Sequence, residues 1–336
     1  MIPARRDEVV QATRYGAPTV AQDERGPAAL LLMAHGGPAT ADEVPGFLRT
    51  LFGPRASKER VAALEERYRA IGAFSPLPAL VQRIAAALAP ATGLPVYVGM
   101  RYGRPSIEQA FFKAAADGIR LLAAVYVSPH LSRRTARRCR QSLDLCNASL
   151  QDALDVRYVC NWYRRPEYLA AEAEATRLAL GRFPSRERCC PHVVFSAHSL
   201  PLRDLTAADP YVAKVRESAA GVASALGLPA ERWCVAYQSA PEPGSAWLGP
   251  HIHEVIADLA GKGERQIVVV PLGFVVDSLE VLYDIDLELT RFAAERGVHL
   301  ERAPLLNDGA ALVEALKGAA LDALRSVHTQ AQEVSS

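Results

Sequence analysis

The sequence contains no apolar run long enough to cross a membrane and almost no excess of charge of either sign. Its longest apolar segments are strand-sized, far short of the roughly 18 residues that a spanning helix needs. The 38 basic and 37 acidic residues give a net charge of +1, so no overall field attracts nucleic acid. We therefore expect no transmembrane segment, at most peripheral membrane contact, and no nucleic-acid partner.

Several common site motifs are also missing. There is no G-x-G-x-x-G after a strand, no Walker A motif and no G-x-S-x-G, so nucleotide binding and serine hydrolysis lack their usual support. The six cysteines include no C-x-x-C pair, so a cysteine-ligated metal would need long-range pairing. Residues 1–26 lack the apolar core of a signal peptide and predict a mobile extension. These features favour a cytoplasmic protein with reduced thiols.

Strand-like runs alternate with Ala- and Leu-rich helical patterns, which predicts parallel sheets built from βαβ units. A chain of 336 residues is long for one core, so two lobes are expected. The polar stretch 182–191 separates a first α/β lobe, 27–182, from a second, 191–305. A helix over 306–327 is expected to pack back on the lobes, before a tail at 328–336.

A weak internal repeat predicts that the lobes arose by duplication. A buried strand runs into Ala34-His35-Gly36-Gly37-Pro38 in one lobe and into Ala197-His198-Ser199-Leu200-Pro201 in the other. We therefore predict two doubly wound, flavodoxin-like lobes. Ligands of such sheets bind beyond the carboxyl ends of the strands, where His35, His198 and also His130 are placed. Imidazoles there can bind a metal or accept a proton, or they can simply be packed in loops.

Carboxylates follow the last long apolar strand at intervals of four residues. Glu280, Asp284 and Glu288 would lie along one side of a helix predicted over 277–295. Such a line suits divalent cations. The alternative is an ordinary helix start, in which Asp277-Ser278-Leu279-Glu280 forms a capping box.

A group of arginines follows His130, and guanidinium groups favour ligands that carry carboxylates. The group therefore indicates an anion-binding surface, with a solvated helix face as the alternative. Its members are Arg133, Arg134, Arg137, Arg138 and Arg140.

An ordered set of short motifs covers nearly all of residues 28–325. The motifs are Tyr68-Arg69-Ala70-Ile71-Gly72, Ser75-Pro76-Leu77, Ser196-Ala197-His198-Ser199-Leu200-Pro201, Asp209-Pro210-Tyr211, Tyr237-Gln238-Ser239, Trp247-Leu248-Gly249-Pro250, Gly273-Phe274-Val275 and Leu279-Glu280-Val281-Leu282-Tyr283-Asp284. In this order they resemble the ferrochelatase family. The resemblance implies insertion of ferrous iron into a porphyrin during haem synthesis, with release of two protons and no redox change.

The resemblance also implies roles for single residues. His198 and Glu280 would face each other across a cleft between the lobes as catalytic and metal-binding residues, and Asp284 and Glu288 would pass metal inward or protons outward. We expect a monomer whose partners are porphyrin and ferrous iron. No resident cofactor is expected, because relatives that hold a [2Fe–2S] cluster use C-terminal cysteines and none follows Cys234. Candidate substrate-binding residues are His35, Arg101, His130, Arg133, Tyr237 and Ser239.

The porphyrin itself is less clearly indicated. His35 stands where relatives that use coproporphyrin have tyrosine, and Gly36-Gly37-Pro38 looks like the protoporphyrin branch. Ser128-Pro129-His130-Leu131-Ser132 looks like the coproporphyrin branch, and the arginine group suits four propionates better than two. We favour coproporphyrin III over protoporphyrin IX. A chelatase for another tetrapyrrole or metal, and a porphyrin or haem carrier that does no chemistry, are the alternatives.

Overall fold

The computed structural model describes residues 26–53, 57–184, 191–205, 209–239 and 246–326, and the backbone of Arg14 and Tyr15. Within these residues, no helix combines the length and the apolar character needed to cross a membrane. Arg14–Tyr15 form a short strand inside the segment expected to be a mobile extension. The rest of residues 1–25 and the expected tail at 328–336 lie outside the described residues.

Two sheets organise the described chain. The strands of the first are β1 (Arg14–Tyr15), β2 (Ala28–Ala34), β3 (Val96–Met100), β4 (Leu121–Tyr126) and β5 (Asp155–Val159). Those of the second are β6 (His192–His198), β7 (Trp233–Gln238), β8 (Gln266–Val270) and β9 (His299–Arg302). The alternation of strands and helices expected from the sequence is therefore present.

The two sheets share one topology, as the internal repeat predicted. Their strand orders are β1-β3-β2-β4-β5 and β7-β6-β8-β9. All neighbours pair in parallel except the edge strand β1, which is antiparallel to β3. If β1 is set aside, the strand that comes second in the chain lies at one edge of each sheet, followed by the first, third and fourth strands. This is the flavodoxin-like doubly wound order. The predicted fold class is therefore confirmed.

Helices cover both faces of the sheets. They are α1 (Val44–Phe52), α2 (Lys58–Ala70), α3 (Leu77–Thr92), α4 (Ile107–Ala116), α5 (Arg133–Ala148), α6 (Pro166–Leu180), α7 (Tyr211–Leu226), α8 (Ile252–Gly261), α9 (Leu279–Leu282), α10 (Thr290–Ala294) and α11 (Ala310–Arg325).

The single helix predicted over 277–295 is wrong in one respect. A π-helix, Asp284–Leu289, separates α9 from α10. Its wider turn is marked by the Glu288 N–H, which donates to the carbonyl of Tyr283 five residues earlier, at 2.9 Å. The acidic residues therefore lie on a distorted segment and not on one regular α-helix.

The two lobes share a core because alternate residues of each strand point to opposite faces. Leu30 and Leu32 of β2 belong to the same apolar cluster as Phe195 of β6 and Val268 of β8. Leu31 faces the other way, into a second cluster beneath α4 and α5. One continuous core thus joins the lobes.

Two helices cross between the lobes. Helix α6, which precedes the 182–191 stretch, packs on α7 and on β8 and β9 of the second sheet. Helix α11 packs on α6 and returns to α3, β4 and β5 of the first sheet. The 182–191 stretch therefore divides the sheets, but not the helices that cover them.

The carboxyl ends of β2 and β3 are locked together through the backbone. The N–H of Tyr102 donates to the carbonyl of His35 at 2.8 Å. Gly36 has φ of +91°, and a Cβ there would lie 2.3 Å from the carbonyl oxygen of Tyr102. Glycine is therefore required beside His35, both for its backbone angle and for the space.

We predict that Gly36→Ala destabilises the protein far more than Gly263→Ala. Both glycines have φ of +91°, but a Cβ at Gly263 would meet nothing within 4 Å. The left-handed angle alone costs an alanine about 1–2 kcal/mol, whereas overlap with backbone should raise the Gly36→Ala loss to roughly 3 kcal/mol or more. The free energy of unfolding in denaturant measures both, and equal losses would contradict the close approach.

Candidate active site

His198 is the last residue of β6, at the carboxyl edge of the second sheet. Its carbonyl accepts a hydrogen bond from the Tyr211 hydroxyl at 2.8 Å, and its ring packs edge-on against Phe274, with centroids 6.2 Å apart. The ring is half-buried, and its Nδ1 is buried without a hydrogen-bond partner among the described residues. Nε2 is therefore the nitrogen available to a ligand or a proton.

Glu280 is held near this strand by the side chain of Gln238, the residue paired with His198 in β7. The amide nitrogen of Gln238 donates to the carbonyl of Glu280 at 2.8 Å, and its amide oxygen accepts from the Ser196 hydroxyl at 2.7 Å. The carboxylate of Glu280 accepts from the Ser278 hydroxyl at 2.9 Å.

The capping box considered from the sequence is not formed. Ser278 occupies the N-cap position of α9, but its side chain makes no capping hydrogen bond. Asp277 instead accepts from the side chain of Asn307 at 2.8 Å. The carboxylate of Glu280 is therefore not used to cap the helix.

His35 enters the same site from the first lobe. Its ring lies 5.0 Å from the ring of Tyr102, and the Arg101 guanidinium lies 5.2 Å from the centre of the same Tyr102 ring. The side chain of His35 is exposed to solvent, yet burial is the main cause that lowers its pKa. The His35 imidazole is therefore reached by solvent although protein atoms surround much of it.

Electrostatic interactions connect His35, His198 and Glu280. Burial lowers the pKa of His198, and attraction to Glu280 acts against it. Burial also dominates the lowered pKa of His35, where Glu280 raises it and His198 and Arg101 lower it. Burial would raise the pKa of Glu280, but the two histidines, with hydrogen bonds from its own backbone and Ser278, lower it overall. The site thus offers neutral imidazoles beside an ionised carboxylate near neutral pH.

Within the described residues, no group of three or more His, Cys, Asp or Glu side chains is arranged to hold a metal ion. An imidazole and a carboxylate can still guide a borderline dication, and the remaining ligands would come from the molecule that receives it.

Asp284 continues the line beyond Glu280 and is buried, with 8% of its surface exposed. Its two oxygens accept hydrogen bonds from the Ser239 hydroxyl at 2.6 Å and from Arg67 at 3.2 Å. Burial raises the pKa of Asp284 to about 7; the Ser239 hydrogen bond and Arg67 oppose the shift, and repulsion from Glu280 and Glu288 adds to it. Glu288 itself is exposed, so the acidic line runs from the cleft to the surface.

Two of the predicted substrate contacts are buried. His130 is 4% exposed, its Nε2 lies 2.8 Å from the Ser218 hydroxyl, and its ring lies 5.5 Å from that of Tyr163. Burial is the main cause that lowers the pKa of His130 to about 3. Tyr237 is 3% exposed. His130 Nδ1 and the Tyr237 hydroxyl are buried without a hydrogen-bond partner among the described residues, and substrate binding by His130 and Tyr237 stays a prediction.

Arg133 and its neighbour connect the first lobe to the second. The backbone N–H of Arg133 donates to Asp209 at 3.0 Å, and Arg134 forms an ion pair with Asp204. Arg137 and Arg138 are exposed on the same helix, α5. The basic surface predicted for anions is therefore present, although its first residues also hold the lobes together.

Sequence reasoning missed the part played by Arg67, Tyr102 and Gln238. Gln238 stands within a quoted motif, but only its pairing opposite His198 shows what its side chain joins. Arg67 contacts Asp284 across 217 positions of sequence, and no local pattern indicates such a pair.

The raised pKa of Asp284 gives a pH-dependent stability. Between its ordinary value of 3.8 and about 7, the folded protein holds a proton on Asp284 that the unfolded chain releases. The stability contribution of Asp284 is therefore full at low pH and falls as pH rises, by up to about 1.4 kcal/mol per pH unit. Asp284→Asn should remove this slope. Urea unfolding of the wild type and of Asp284→Asn from pH 4 to 7.5 measures the free energy of unfolding at each pH. The prediction is contradicted if this free energy changes with pH equally in the two proteins.

The fold defines a class of protein, that of the two-lobed α/β proteins with a doubly wound sheet in each lobe. Two solved structures of SirB from Bacillus subtilis share the fold: one with Fe3+, at TM-score 0.54 and 15% identity, and the sirohydrochlorin chelatase with cobalt, at TM-score 0.52 and 13% identity. They cover 89% and 88% of this chain, and 96% and 95% of their own chains. At such low identity the likeness concerns the fold alone.

Within that class, the chain belongs to the ferrochelatase family. The family model for ferrochelatase matches residues 27–324. Ferrochelatases of Herpetosiphon aurantiacus and Deinococcus radiodurans are 37% and 36% identical, covering 86% and 84% of this chain and 96% and 91% of theirs. The coproporphyrin III ferrochelatase of Geobacillus kaustophilus is 30% identical over 88% of this chain and 95% of its own. The resemblance seen in the sequence motifs is confirmed.

Proposed function

We propose that this chain inserts ferrous iron into coproporphyrin III. The coarser statement, iron insertion into a porphyrin in haem synthesis, follows from the family. Two observations support coproporphyrin III as the porphyrin. Two relatives at 30% identity carry the name coproporphyrin III ferrochelatase. The exposed arginines of α5 also suit a ligand with four carboxylates.

The single observation that carries the mechanism is the neutral imidazole beside an ionised carboxylate. Two pyrrole N–H protons must leave the macrocycle as the metal enters. His198, with its lowered pKa and its free Nε2, is the better proton acceptor. Glu280, whose pKa is also lowered, is the better partner for the dication. A cleft that holds the macrocycle bent would expose the nitrogen lone pairs to the metal.

His35, Arg101 and Ser239 are proposed to act around this pair. His35 is exposed in the cleft, and Arg101 lies behind it as a fixed positive charge. Ser239 has φ of +63°, an angle that most side chains avoid, and its hydroxyl holds Asp284. Asp284 and Glu288 then form the route between the cleft and solvent.

We further propose that the protein works as a cytoplasmic monomer, with at most peripheral membrane contact and without a resident cofactor. The sequence supports the last point because no cysteine follows Cys234. Among the residues that the structure describes, Cys139, Cys146 and Cys234 take part in no disulfide bond.

An anaerobic assay separates this function from its alternatives. Purified protein is mixed with ferrous iron and a porphyrin, and the absorbance is followed. We expect many turnovers, and a higher kcat/KM with coproporphyrin III than with protoporphyrin IX. Stoichiometric binding without metal insertion would indicate a carrier. A preference for protoporphyrin IX would overturn the substrate assignment, and activity only with cobalt and sirohydrochlorin would indicate another chelatase.

Substitutions test the assigned roles. His198→Ala and Glu280→Gln should each lower kcat by about 100-fold or more, the usual size of a lost acid–base group, while porphyrin binding stays largely intact. Glu288→Gln is the matched control, because this exposed carboxylate lies at the outer end of the line and its loss should only slow turnover. Normal turnover by His198→Ala would show that the site is wrongly placed.

A further inference from the structure

Three residues other than glycine have a positive φ in the part of the chain that the structure describes: Ala73 at +68°, Ser239 at +63° and Asn307 at +46°. Such angles disfavour a side chain and are concentrated at functional sites. The Ser239 hydroxyl donates to Asp284. The Asn307 side chain donates to Asp277. Ala73 has no polar side chain, so the reason for its angle lies in the loop around it.

The loop that contains Ala73 is held on both sides of Phe74. The backbone N–H of Ala73 donates to the carbonyl of Tyr68, in the last turn of α2, at 2.7 Å. The N–H of Ser75 donates to the carbonyl of Pro38, in the loop after β2, at 2.8 Å. The backbone that carries Phe74 is therefore fixed by hydrogen bonds to two different segments of the first lobe.

Both of these segments border the candidate active site. Pro38 lies three residues after His35 in the chain. Tyr68 shares a buried apolar cluster with Leu279, the residue before Glu280. His35 and Glu280 in turn interact electrostatically. The loop between the two segments therefore lies beside the site and not on a distant surface.

Phe74 is 45% exposed, although it is a large apolar side chain. Single apolar side chains are common on protein surfaces, so exposure alone would need no explanation. The strain at Ala73 does need one, because glycine would adopt the same angle without the steric cost. Alanine leaves the loop fewer conformations than glycine would. The loop thus presents the Phe74 ring to solvent in one restricted position.

We propose that Phe74 packs against the aromatic ring system of the bound porphyrin, and that the backbone angle of Ala73 holds the ring in place before the porphyrin arrives. The inference rests on the proposed function, since it needs a porphyrin beside His35 and Glu280. An aromatic side chain brings a large apolar area to such a contact and favours offset or edge-on packing against another ring. Because the loop is already ordered, little further conformational entropy is lost on binding. Phe74 therefore determines affinity for the porphyrin and is not a catalytic residue.

Fluorescence titration with porphyrin, in the absence of metal, tests the proposal. Phe74→Ala should raise the Kd for coproporphyrin III about five- to ten-fold, the size of one lost aromatic contact. It should raise the Kd for protoporphyrin IX by the same factor, because both porphyrins have the same ring system. In turnover assays, the KM for porphyrin should rise in parallel while kcat stays within about two-fold of the wild type. An effect on one porphyrin alone, or a loss of kcat at unchanged KM, would overturn the proposal.

Phe112→Ala is the matched control. Phe112 is 40% exposed on α4, outside the candidate site, and its ring lies 5.8 Å from that of Phe111. Phe112→Ala should leave the Kd for porphyrin unchanged. Phe74→Tyr keeps the aromatic ring and should stay within about two-fold of the wild type. If Phe74→Ala binds porphyrin as tightly as Phe112→Ala does, the proposal is overturned.

Ala73→Gly tests the role of the backbone. Glycine relieves the strain, so the midpoint of urea unfolding should equal or exceed that of the wild type. The freer loop should nevertheless raise the Kd for coproporphyrin III about two- to five-fold, although Phe74 is still present. Unchanged porphyrin affinity, or a lower unfolding midpoint, would overturn the role of Ala73. The titrations need no turnover, so porphyrin binding that depends on Phe74 without iron insertion by the wild type would support this inference and overturn the proposed function.

Discussion

The side-chain amide of Gln238 is the interaction on which the site depends. It is 2% exposed, and it bridges Ser196, two residues before His198, to the backbone carbonyl of Glu280. Both ends of a buried amide are satisfied here, and breaking either would leave a buried polar group without a partner, at a cost of about 1–3 kcal/mol. The amide therefore fixes the strand that ends in His198 relative to α9, the helix that begins at Leu279 and contains Glu280.

A rigid frame supports this link. Each sheet is covered on both faces, and one core runs between the lobes through residues such as Leu32 and Phe195. Because α6 packs on the second sheet and α11 on the first, neither lobe completes its core alone. The carboxyl ends of both sets of strands can thus present polar groups to a cleft while the apolar interior stays closed. The segment that carries the acidic residues is less regular than this frame, because it contains the π-helix Asp284–Leu289. Short π-helical segments are frequent at functional sites.

The burial of Asp284 lowers the stability of the fold near neutral pH. Asp284 is buried beside other carboxylates, and its raised pKa measures that cost. Contacts from both lobes offset part of it, since Arg67 and Ser239 each donate to one oxygen. A carboxylate that is buried, paired and still able to exchange a proton near neutral pH suits a route for protons or metal better than a fully ionised surface residue would.

The sequence by itself determined the strands, the doubly wound lobes and the placement of His35 and His198 at strand ends, because apolar periodicity and strand-end signals are local. It also indicated Glu280 and Asp284 through their spacing. Only the tertiary structure decided that His130 is packed against Ser218, that a π-helix interrupts the acidic segment, and that Arg67 reaches Asp284 from the other lobe. These features depend on which distant surfaces meet, and contacts between residues far apart in the chain leave no periodic pattern in the sequence.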